Sequence, residues 1–581
     1  MARPTLARLK RTLRSRFRLQ DLRPGQAEVI RSVLAGRDTL AIMPTGSGKS
    51  LTYQLPALEL PGTTIVVSPL ISLMKDQVDK LVELGVAASQ VNSALTARET
   101  EENLEQIEED SSEFIFATPE RLADPAFLDT LEGRHLDLFV VDEAHCISEW
   151  GHDFRPSFLK LRDAIAALGR PRVLALTATA TEAVIKDIVT RLGIEGAEIV
   201  NTGVHRANLW FGVARTPSEA EKQAALLRLL RETEGTGIVY TATVKNCEQV
   251  TGLLQGLGFE AARYHGRLSG RERHETQDRF MAGELRAVVA TNAFGMGIDK
   301  PDIRFVVHYD LPGSLEAYYQ EAGRAGRDGE PARCLLLYKV EDRRTQQFFL
   351  GGRYPGFHDV LAVHRGLEAA TSARSTPSLQ DVRDAAPGVP GSKVHVALNM
   401  LKEAGIVHEG RGARYALRRH DVRGPELEAL ATQYEHRGQA DRERLERMIQ
   451  YAQSALCRWK IVAGYFGEHV DWERCGHCDT CQRPVEAQVV PPETRVPVSV
   501  AGPGNGSPAP GVTGRAVPRA PVAGEAGFKK GTLVRLPDHG EGEVLEVRGD
   551  KLLVAFPDGT QKLFKGDFAE PIAQSPRRLP Q

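Results

Sequence analysis

The sequence predicts an α/β fold: two tandem parallel-sheet domains covered by helices, with smaller modules behind them. Three observations carry this. Short runs rich in Val, Ile, Leu and Phe recur between helical patterns, in two separate groups. A phosphate loop stands between the first such run and a helix. Two carboxylates follow directly on another run, where an open parallel sheet presents its carboxyl edge to a ligand.

The N-terminal stretch, Met1 to Gln20, is rich in Arg and has no acidic residue before Asp21. A solvated basic helix touching DNA phosphates fits this composition, with a transit peptide as the alternative. No secretory apolar region is visible, so a cytoplasmic location is expected. No apolar run approaches the ~18 residues of a membrane span, and no membrane partner is expected. The net charge is only −2 over 581 residues, so binding to nucleic acid has to come from local basic surface.

Asp38-Thr39-Leu40-Ala41-Ile42 reads as a buried strand and runs into Met43-Pro44-Thr45-Gly46-Ser47-Gly48-Lys49-Ser50. Gly46 and Gly48 allow backbone N–H groups to close around phosphate oxygens. Lys49 is expected to reach the β and γ phosphates of a nucleotide, and Ser50 to hold Mg²⁺. The loop lacks the first glycine of the strict pattern and has Pro44-Thr45-Gly46-Ser47 instead, a form typical of superfamily 2 helicases. Further runs of the first group are Ile65-Val66-Val67, Phe114-Ile115-Phe116, Leu138-Phe139-Val140-Val141 and Val173-Leu174-Ala175-Leu176.

Asp142 and Glu143 follow Val141. Asp142 is expected to bind Mg²⁺, and Glu143 to orient and deprotonate the attacking water. Immediately downstream, Trp150, Phe154 and Phe158 stand among His152, Asp153 and Arg155, a composition suited to stacking unpaired bases. The second group of runs is Gly237–Tyr240, Ala287–Ala290, Phe305–His308 and Leu335–Leu337. Within it, Gln320-Glu321-Ala322-Gly323-Arg324-Ala325-Gly326-Arg327 supplies cations. Arg324 and Arg327 lie on neighbouring turns if helical, and their distance from the phosphate loop suggests a second domain that closes over ATP and delivers an arginine finger. Surface salt bridging is the bland alternative.

At these residues the chain resembles the RecQ family of ATP-dependent DNA helicases, over roughly residues 10 to 340 and again at a cysteine segment. Phe17 with Arg23-Pro24-Gly25-Gln26 resembles the adenine-reading motif 0, which implies that Gln26 hydrogen-bonds the base. Ser68–Leu73 and Ala117–Leu122 resemble strand-binding motifs, Thr177-Ala178-Thr179 motif III, and Ala290–Asp299, with Asn292, motif V. The loop Trp150–Phe158 resembles the aromatic-rich loop that links single-strand binding to hydrolysis in this family. One departure is Leu19, where the family stacks an aromatic ring on adenine; weaker base selectivity is expected. The resemblance makes both sheets RecA-like. Its candidate nucleotide-binding residues are Arg23, Gln26, Thr45, Gly46, Gly48, Lys49, Ser50 and Gln320, with Asp142, Glu143, Arg324 and Arg327 in catalysis. Trp150, Phe154, Arg155, Thr177 and Asn292 are the residues expected to couple DNA to hydrolysis.

Behind the motor, residues 376 to 420 read as a winged-helix-like module, with helices at Leu379–Ala385 and Lys393–Ala404 and a wing turning at His408–Arg414. Arg411, Arg414, Arg418 and Arg419 are expected to touch phosphates; a generic helical spacer is the alternative. In the family a winged helix usually follows the zinc site, whereas here it precedes it. Of seven cysteines, Cys457, Cys475, Cys478 and Cys481 make a compact set with metal-ligand spacing. Cys457 is expected on a helix as the distal ligand of a four-cysteine zinc site. Disulfides, or His477 in place of one thiolate, are alternatives. The arrangement resembles the RecQ zinc-binding subdomain.

Residues from about Val485 to Glu525 are rich in Pro and Gly and read as a disordered tether. Then Thr532–Leu536, Gly542–Val547, Leu552–Phe556 and Gln561–Phe564 alternate as strands with Gly-containing turns between them. This predicts a small SH3/Tudor-like barrel resembling the C-terminal module of UvrD-type helicases, a docking site for RNA polymerase or a repair factor. The expected division is 1–205 and 206–345 for the helicase domains and 346–425 for the winged-helix-like module. It continues with 426–485 for the zinc subdomain, 486–527 for the linker and 528–572 for the barrel. The expected function is ATP-dependent 3′–5′ unwinding of single-stranded and forked DNA in repair and recombination, with ATP, Mg²⁺ and Zn²⁺ as cofactors. The alternative is a nucleic-acid-stimulated ATPase that remodels RNA or gates DNA binding without processive unwinding.

Overall fold

In the first sheet, every strand of the centre is apolar on both faces, which is what a parallel sheet covered by helices on each side requires. A computed structural model describes residues 6–483 apart from 110, 150–152, 296–297, 352–353, 374–375 and 411. It also describes 532–571 apart from 537–539, 549–550, 557–560 and 566–569. Two compact units result, Met1–Gln488 and Val489–Gln581. The expected tether at 486–527 and the wing residue Arg411 lie outside the described residues.

The first sheet contains β1 (Thr39–Ile42), β2 (Thr63–Val67), β3 (Ala88–Val91), β4 (Phe114–Ala117), β5 (Leu136–Val141), β6 (Arg172–Thr177) and β7 (Glu198–Asn201). All pair in parallel in the order β3-β4-β2-β5-β6-β1-β7. Successive side chains alternate between two cores: Ile65 and Val67 enter one, Val66 the other. Because the strands are parallel and β5, β6 and β1 adjoin, their carboxyl ends open on a single edge. The phosphate loop, Asp142 and Thr177 meet there.

The second sheet holds β8 (Leu209–Arg215), β9 (Thr236–Tyr240), β10 (Ala261–Tyr264), β11 (Ala287–Ala290), β12 (Ile303–His308) and β13 (Ala332–Tyr338), again all parallel. Its order is β10-β11-β9-β12-β13-β8. A helix at Leu315–Ala322, capped where Ser314 Oγ accepts from the Ala317 N–H at 3.2 Å, ends at Gly323.

A third core gathers Val360, Val382, Leu398 and Leu401 from three helices, Tyr415 from a hairpin, and Leu427 and Ala431 from a further helix. The hairpin is β14 (Val407–Gly410) against β15 (Arg414–Leu417), antiparallel. The further helix runs for 30 residues, Gly424–Gln453. Its later turns place Leu445, Met448 and Ile449 in the core of the second sheet, together with Trp459, Val462 and Phe466. The cysteine segment therefore has no core of its own.

One expectation needs correction at this level. The N-terminal helix, Leu6–Ser15, is not solvated all round: Leu9 and Leu13 are buried against Ile30, Leu51 and Leu55, and Phe17 packs beside them. Three of the wing arginines hold intramolecular partners. Arg414 donates to the Thr376 carbonyl at 3.1 Å, Arg418 lies 3.2 Å from His408 Nδ1, and Arg419 pairs with Glu426 at 2.8 Å.

In the second unit, β16 (Leu533–Leu536), β17 (Gly540–Arg548), β18 (Lys551–Ala555), β19 (Gln561–Lys565) and β20 (Glu570–Pro571) form an antiparallel sheet. The order is β19-β18-β17-β16-β20, with β19 and β20 at its edges among the described residues. Val534, Val544, Leu552 and Val554 make its small core.

Candidate nucleotide site and cysteine cluster

The loop after β1 turns through Gly46 (φ +86°) and Gly48 (φ +80°), left-handed conformations that glycine adopts without steric cost. Close approach matters as well. A Cβ on Gly48 would stand 2.5 Å from Gln26 Nε2, and one on Gly46 would stand 3.0 Å from Arg327 Cγ. Gln26 Nε2 donates to the carbonyls of Ser47 (3.0 Å) and Gly48 (2.9 Å), while its Oε1 accepts from the Arg23 N–H at 2.7 Å. Arg23 also donates to the Gly46 carbonyl. The motif-0 segment is thus tied to the phosphate loop. Leu19 is 44% exposed and lines the same cleft.

Lys49 Nζ donates to the Met43 carbonyl at 3.2 Å. Burial lowers its pKa, opposed by Glu143 and Asp142. Asp142 shows the converse: burial and the Glu143 carboxylate raise its pKa, with Lys49 pulling the other way. Two adjacent, partly buried carboxylates beside one ammonium form a donor set that a divalent cation would complete. Glu143 takes a left-handed backbone conformation (φ +50°) that is uncommon for a residue with a Cβ. Its carboxylate Oε2 lies 3.3 Å from His145 Nδ1, and that nitrogen lies 3.0 Å from Thr177 Oγ1. Thr177 in turn donates to the Thr179 carbonyl at 2.9 Å. Thr177 is fully buried, with its hydroxyl against the His145 ring.

The second sheet faces this edge across a cleft of about 930 Å³, lined from one side by Lys49, Ser50, Asp142 and Glu143 and from the other by Asn292, Gln320, Arg324 and Arg327. Arg324 and Arg327 are not helical: the helix stops at Ala322 and both follow in turns. The two guanidinium groups consequently diverge. Arg324 is buried and donates to the Gly295 carbonyl, where Gly295 (φ +145°) leaves room that a Cβ would fill. Arg327 packs on Gly46 and pairs with Asp299 at 2.7 Å, and Asp299 also meets Lys80 of the first lobe at 3.4 Å. Thr45 meets this turn too: its carbonyl accepts from Arg206 at 3.4 Å. Arg206 carries no motif signal of its own; only its place between the two groups of strands sets it apart.

Of the aromatic loop, Trp150 and His152 lie outside the described residues. Arg155 Nη1 donates to the Pro69 carbonyl at 3.2 Å, joining the loop to the first strand-binding motif. The Phe154 ring lies under the Arg437 guanidinium at 4.7 Å, and Arg437 also pairs with Glu149 at 3.1 Å. Phe158 requires correction: it is fully buried in the first-lobe core and presents no face to a base.

The Sγ atoms of Cys457, Cys475, Cys478 and Cys481 all lie within 4.8 Å of one another. The pairs Cys475–Cys481 and Cys457–Cys478 are 3.9 and 4.0 Å apart. A tetrahedral zinc thiolate has edges of about 3.8 Å, whereas a disulfide needs ~2.05 Å, so the thiols fit the metal. His477 Nδ1 instead donates to the Cys475 carbonyl at 2.9 Å. Cys457 is not within a helix as expected. It is the residue before the helix Arg458–Tyr465, with extended backbone that turns its thiol toward the knuckle.

Comparison with known proteins places these features in a family. Residues 23–188 match the DEAD/DEAH box helicase model, 221–329 the helicase conserved C-terminal domain, and 419–482 the RecQ zinc-binding model. The ATP-dependent DNA helicase RecQ of Bacillus subtilis (strain 168) is 46% identical over 347 residues, covering 59% of this chain and 58% of that protein. The probable ATP-dependent DNA helicase RecS of the same organism is 41% identical over 379 residues, 65% of this chain and 76% of that protein. RecQ of Pasteurella multocida (strain Pm70) is 33% identical over 469 residues, 81% and 61% respectively. The chain thus spans 58% of the length of the first of these relatives and 76% of the second. The matched domains imply ATP with Mg²⁺, and the zinc-binding match over the four thiols implies Zn²⁺. No described helix is long and apolar enough to cross a membrane. A phosphate loop, a carboxylate pair and a four-thiol cluster, together with these relatives, lead to one statement: the chain belongs to the RecQ family of helicases.

Proposed function

We propose that this protein is an ATP-dependent DNA helicase that moves 3′ to 5′ on single-stranded DNA and opens forked duplexes in repair and recombination. The observation that supports it best is the cleft in which Lys49, Asp142 and Glu143 of one lobe face Arg327 of the other. In this reading Lys49 holds the β and γ phosphates and Ser50 and Asp142 hold Mg²⁺. The bound metal supplies charge neutralisation at the phosphates. Glu143 accepts the proton of the attacking water, while His145 fixes its orientation. Arg327 stabilises charge developing on the γ-phosphate, and Arg324 braces the motif V turn. Thr45, Gly46 and Gly48 wrap the phosphates; Arg23, Gln26 and Gln320 hold the rest of the nucleotide.

Trp150, Phe154 and Arg155 sense the single strand, with Thr177 and Asn292 passing that contact to the nucleotide. Cys457, Cys475, Cys478 and Cys481 scaffold the DNA-binding surface around Zn²⁺. We assign residues 1–205 and 206–345 to the two motor domains and 346–425 to the winged-helix-like module. The zinc subdomain takes 426–485, and residues 528–572 a C-terminal barrel that docks a protein partner such as RNA polymerase or a repair factor. The protein acts in the cytoplasm.

The test is ATP-driven strand separation on matched duplexes with a 3′ tail, a 5′ tail or none. Opening of the 3′-tailed duplex alone supports the reading. DNA-stimulated hydrolysis without opening would leave a translocase, and equal stimulation by RNA and DNA would favour RNA remodelling.

A further inference from the structure

Between the lobes, the segment Gly203 to Asn208 is gripped from both sides. Val204 N–H donates to Glu468 Oε2 at 2.7 Å, and the Val204 carbonyl accepts from Tyr319 Oη at 2.6 Å. The His205 ring sits edge-on to Trp459 at 4.9 Å and lies 5.4 Å from the ring of His477 inside the cysteine knuckle. The next residue, Arg206, points the other way. Its Nη1 donates to the carbonyls of Gly323 (2.8 Å) and Thr45 (3.4 Å), and its Nη2 to those of Ala325 (3.0 Å) and Gly326. Asn208 Nδ2 adds donors to Gly326 (2.8 Å) and Glu330 (2.9 Å).

Among the described residues, the four hydrogen-bond acceptors of Arg206 are backbone carbonyls: three in the turn that carries Arg324 and Arg327, one in the phosphate loop. A planar fork of five N–H donors can hold two loops in one geometry, which a point-charge ammonium cannot. Burial lowers the pKa of Arg206, the cost of taking a cation out of water. Gly326 (φ +55°) makes room for this, since a Cβ there would stand 2.5 Å from Asn208 Nδ2.

We propose that Arg206 is a positioning residue of the ATP site: it sets the Gly323–Arg327 turn against the phosphate loop, and the zinc subdomain holds it in place through Glu468 and the rings around His205. The inference rests on the nucleotide-site reading above. It does not place Arg206 on the substrate.

The test compares full-length wild type, Arg206→Lys and Glu468→Ala, with kcat expressed per nucleotide-binding site so that unfolded molecules do not count. Arg206→Lys is expected to lower DNA-stimulated kcat by about tenfold or more while the KM for ATP moves less than about threefold, because misplacement of a charge-stabilising group costs rate more than binding. A readout free of activity is amide hydrogen exchange in the nucleotide-free protein. Exchange over 323–327 should rise by about tenfold in Arg206→Lys, and by less in Glu468→Ala, with β9 and β12 unchanged. Unchanged kcat and exchange in Arg206→Lys overturn the proposal. Faster exchange across the whole second sheet overturns it too, since that marks a general structural role. Wild type without DNA-stimulated hydrolysis would sink the helicase reading alone, and the exchange comparison would still judge Arg206.

Discussion

Replacing Trp459 by Ala should loosen the second motor sheet, although Trp459 stands two residues from a zinc-ligating cysteine. Its ring is fully buried, lies 4.4 Å from that of Phe211 at an interplanar angle of 11°, and meets Tyr319 at 6.4 Å. Its Nε1–H donates to the Leu209 carbonyl at 3.2 Å. Removing a buried Trp costs about 3–5 kcal/mol, and the lost hydrogen bond roughly 1 kcal/mol more. At 1.4 kcal/mol per factor of ten, amide exchange in β8 should accelerate by about 10³ to 10⁴, provided it proceeds through opening of this core. Trp459→Phe keeps a stacked ring but loses the bond and part of the packing, so an acceleration above about fivefold and below that of Trp459→Ala is expected. The assay is hydrogen exchange resolved to β8, with zinc release followed by a chromophoric chelator. If zinc is lost readily while β8 exchange stays within about threefold of wild type, the cysteine segment is an appendage and the shared-core argument fails.

Other outcomes can be checked separately. Glu143→Gln should bind ATP with little change but hydrolyse it about 100-fold or more slowly, as fluorescent-nucleotide titration and phosphate release would report. Leu19→Tyr should lower the KM for ATP several-fold and sharpen the preference for purine nucleotides, since base–aromatic stacking contributes ~1–3 kcal/mol. Although burial acts to raise it, Arg437, Gln433 and Arg191 hold the Glu149 pKa below the usual glutamate value. A depressed carboxylate stabilises above its unfolded pKa and loses that contribution as pH falls through its folded value. Exchange over 145–149 should therefore be flat from about pH 5 to 8 after correction for the intrinsic rate and rise below about pH 4, and Arg437→Ala should abolish the step.

Much of the motor is legible because its central strands are buried on both faces and therefore written as unbroken apolar runs. The edge strands escape that signal. β7 carries Glu198 and Asn201 on a half-exposed ladder, and β10 reads Ala-Ala-Arg-Tyr, with only its first residue buried. Local spacing made the phosphate loop, the Asp142–Glu143 pair and the cysteine set readable. It failed where tertiary packing decides. Phe158 looked like a surface ring because its neighbours are polar, yet it fills the first-lobe core. The spacing of Arg324 and Arg327 would set them on neighbouring turns of a helix, yet the helix stops at Ala322 and the chain turns through Gly326 (φ +55°) between them. Arg206 has no readable signature because its partners are backbone carbonyls about 120 residues away, and any sequence supplies those.

The helix Gly424–Gln453 spans about 45 Å at 1.5 Å per residue, with its first turns seated in the core that holds Val382, Leu398 and Tyr415 and its last turns in that of the second sheet. A rod rooted at both ends is a lever. A swing of about 10° about the motor end would carry the far end through roughly 8 Å, more than the rise of two base pairs. Arg437, part-way along, touches Phe154 and Glu149 of the first lobe and so stands where a brake on that lever would act. In that geometry a small angular change at the motor end becomes a displacement of several ångströms at the far end.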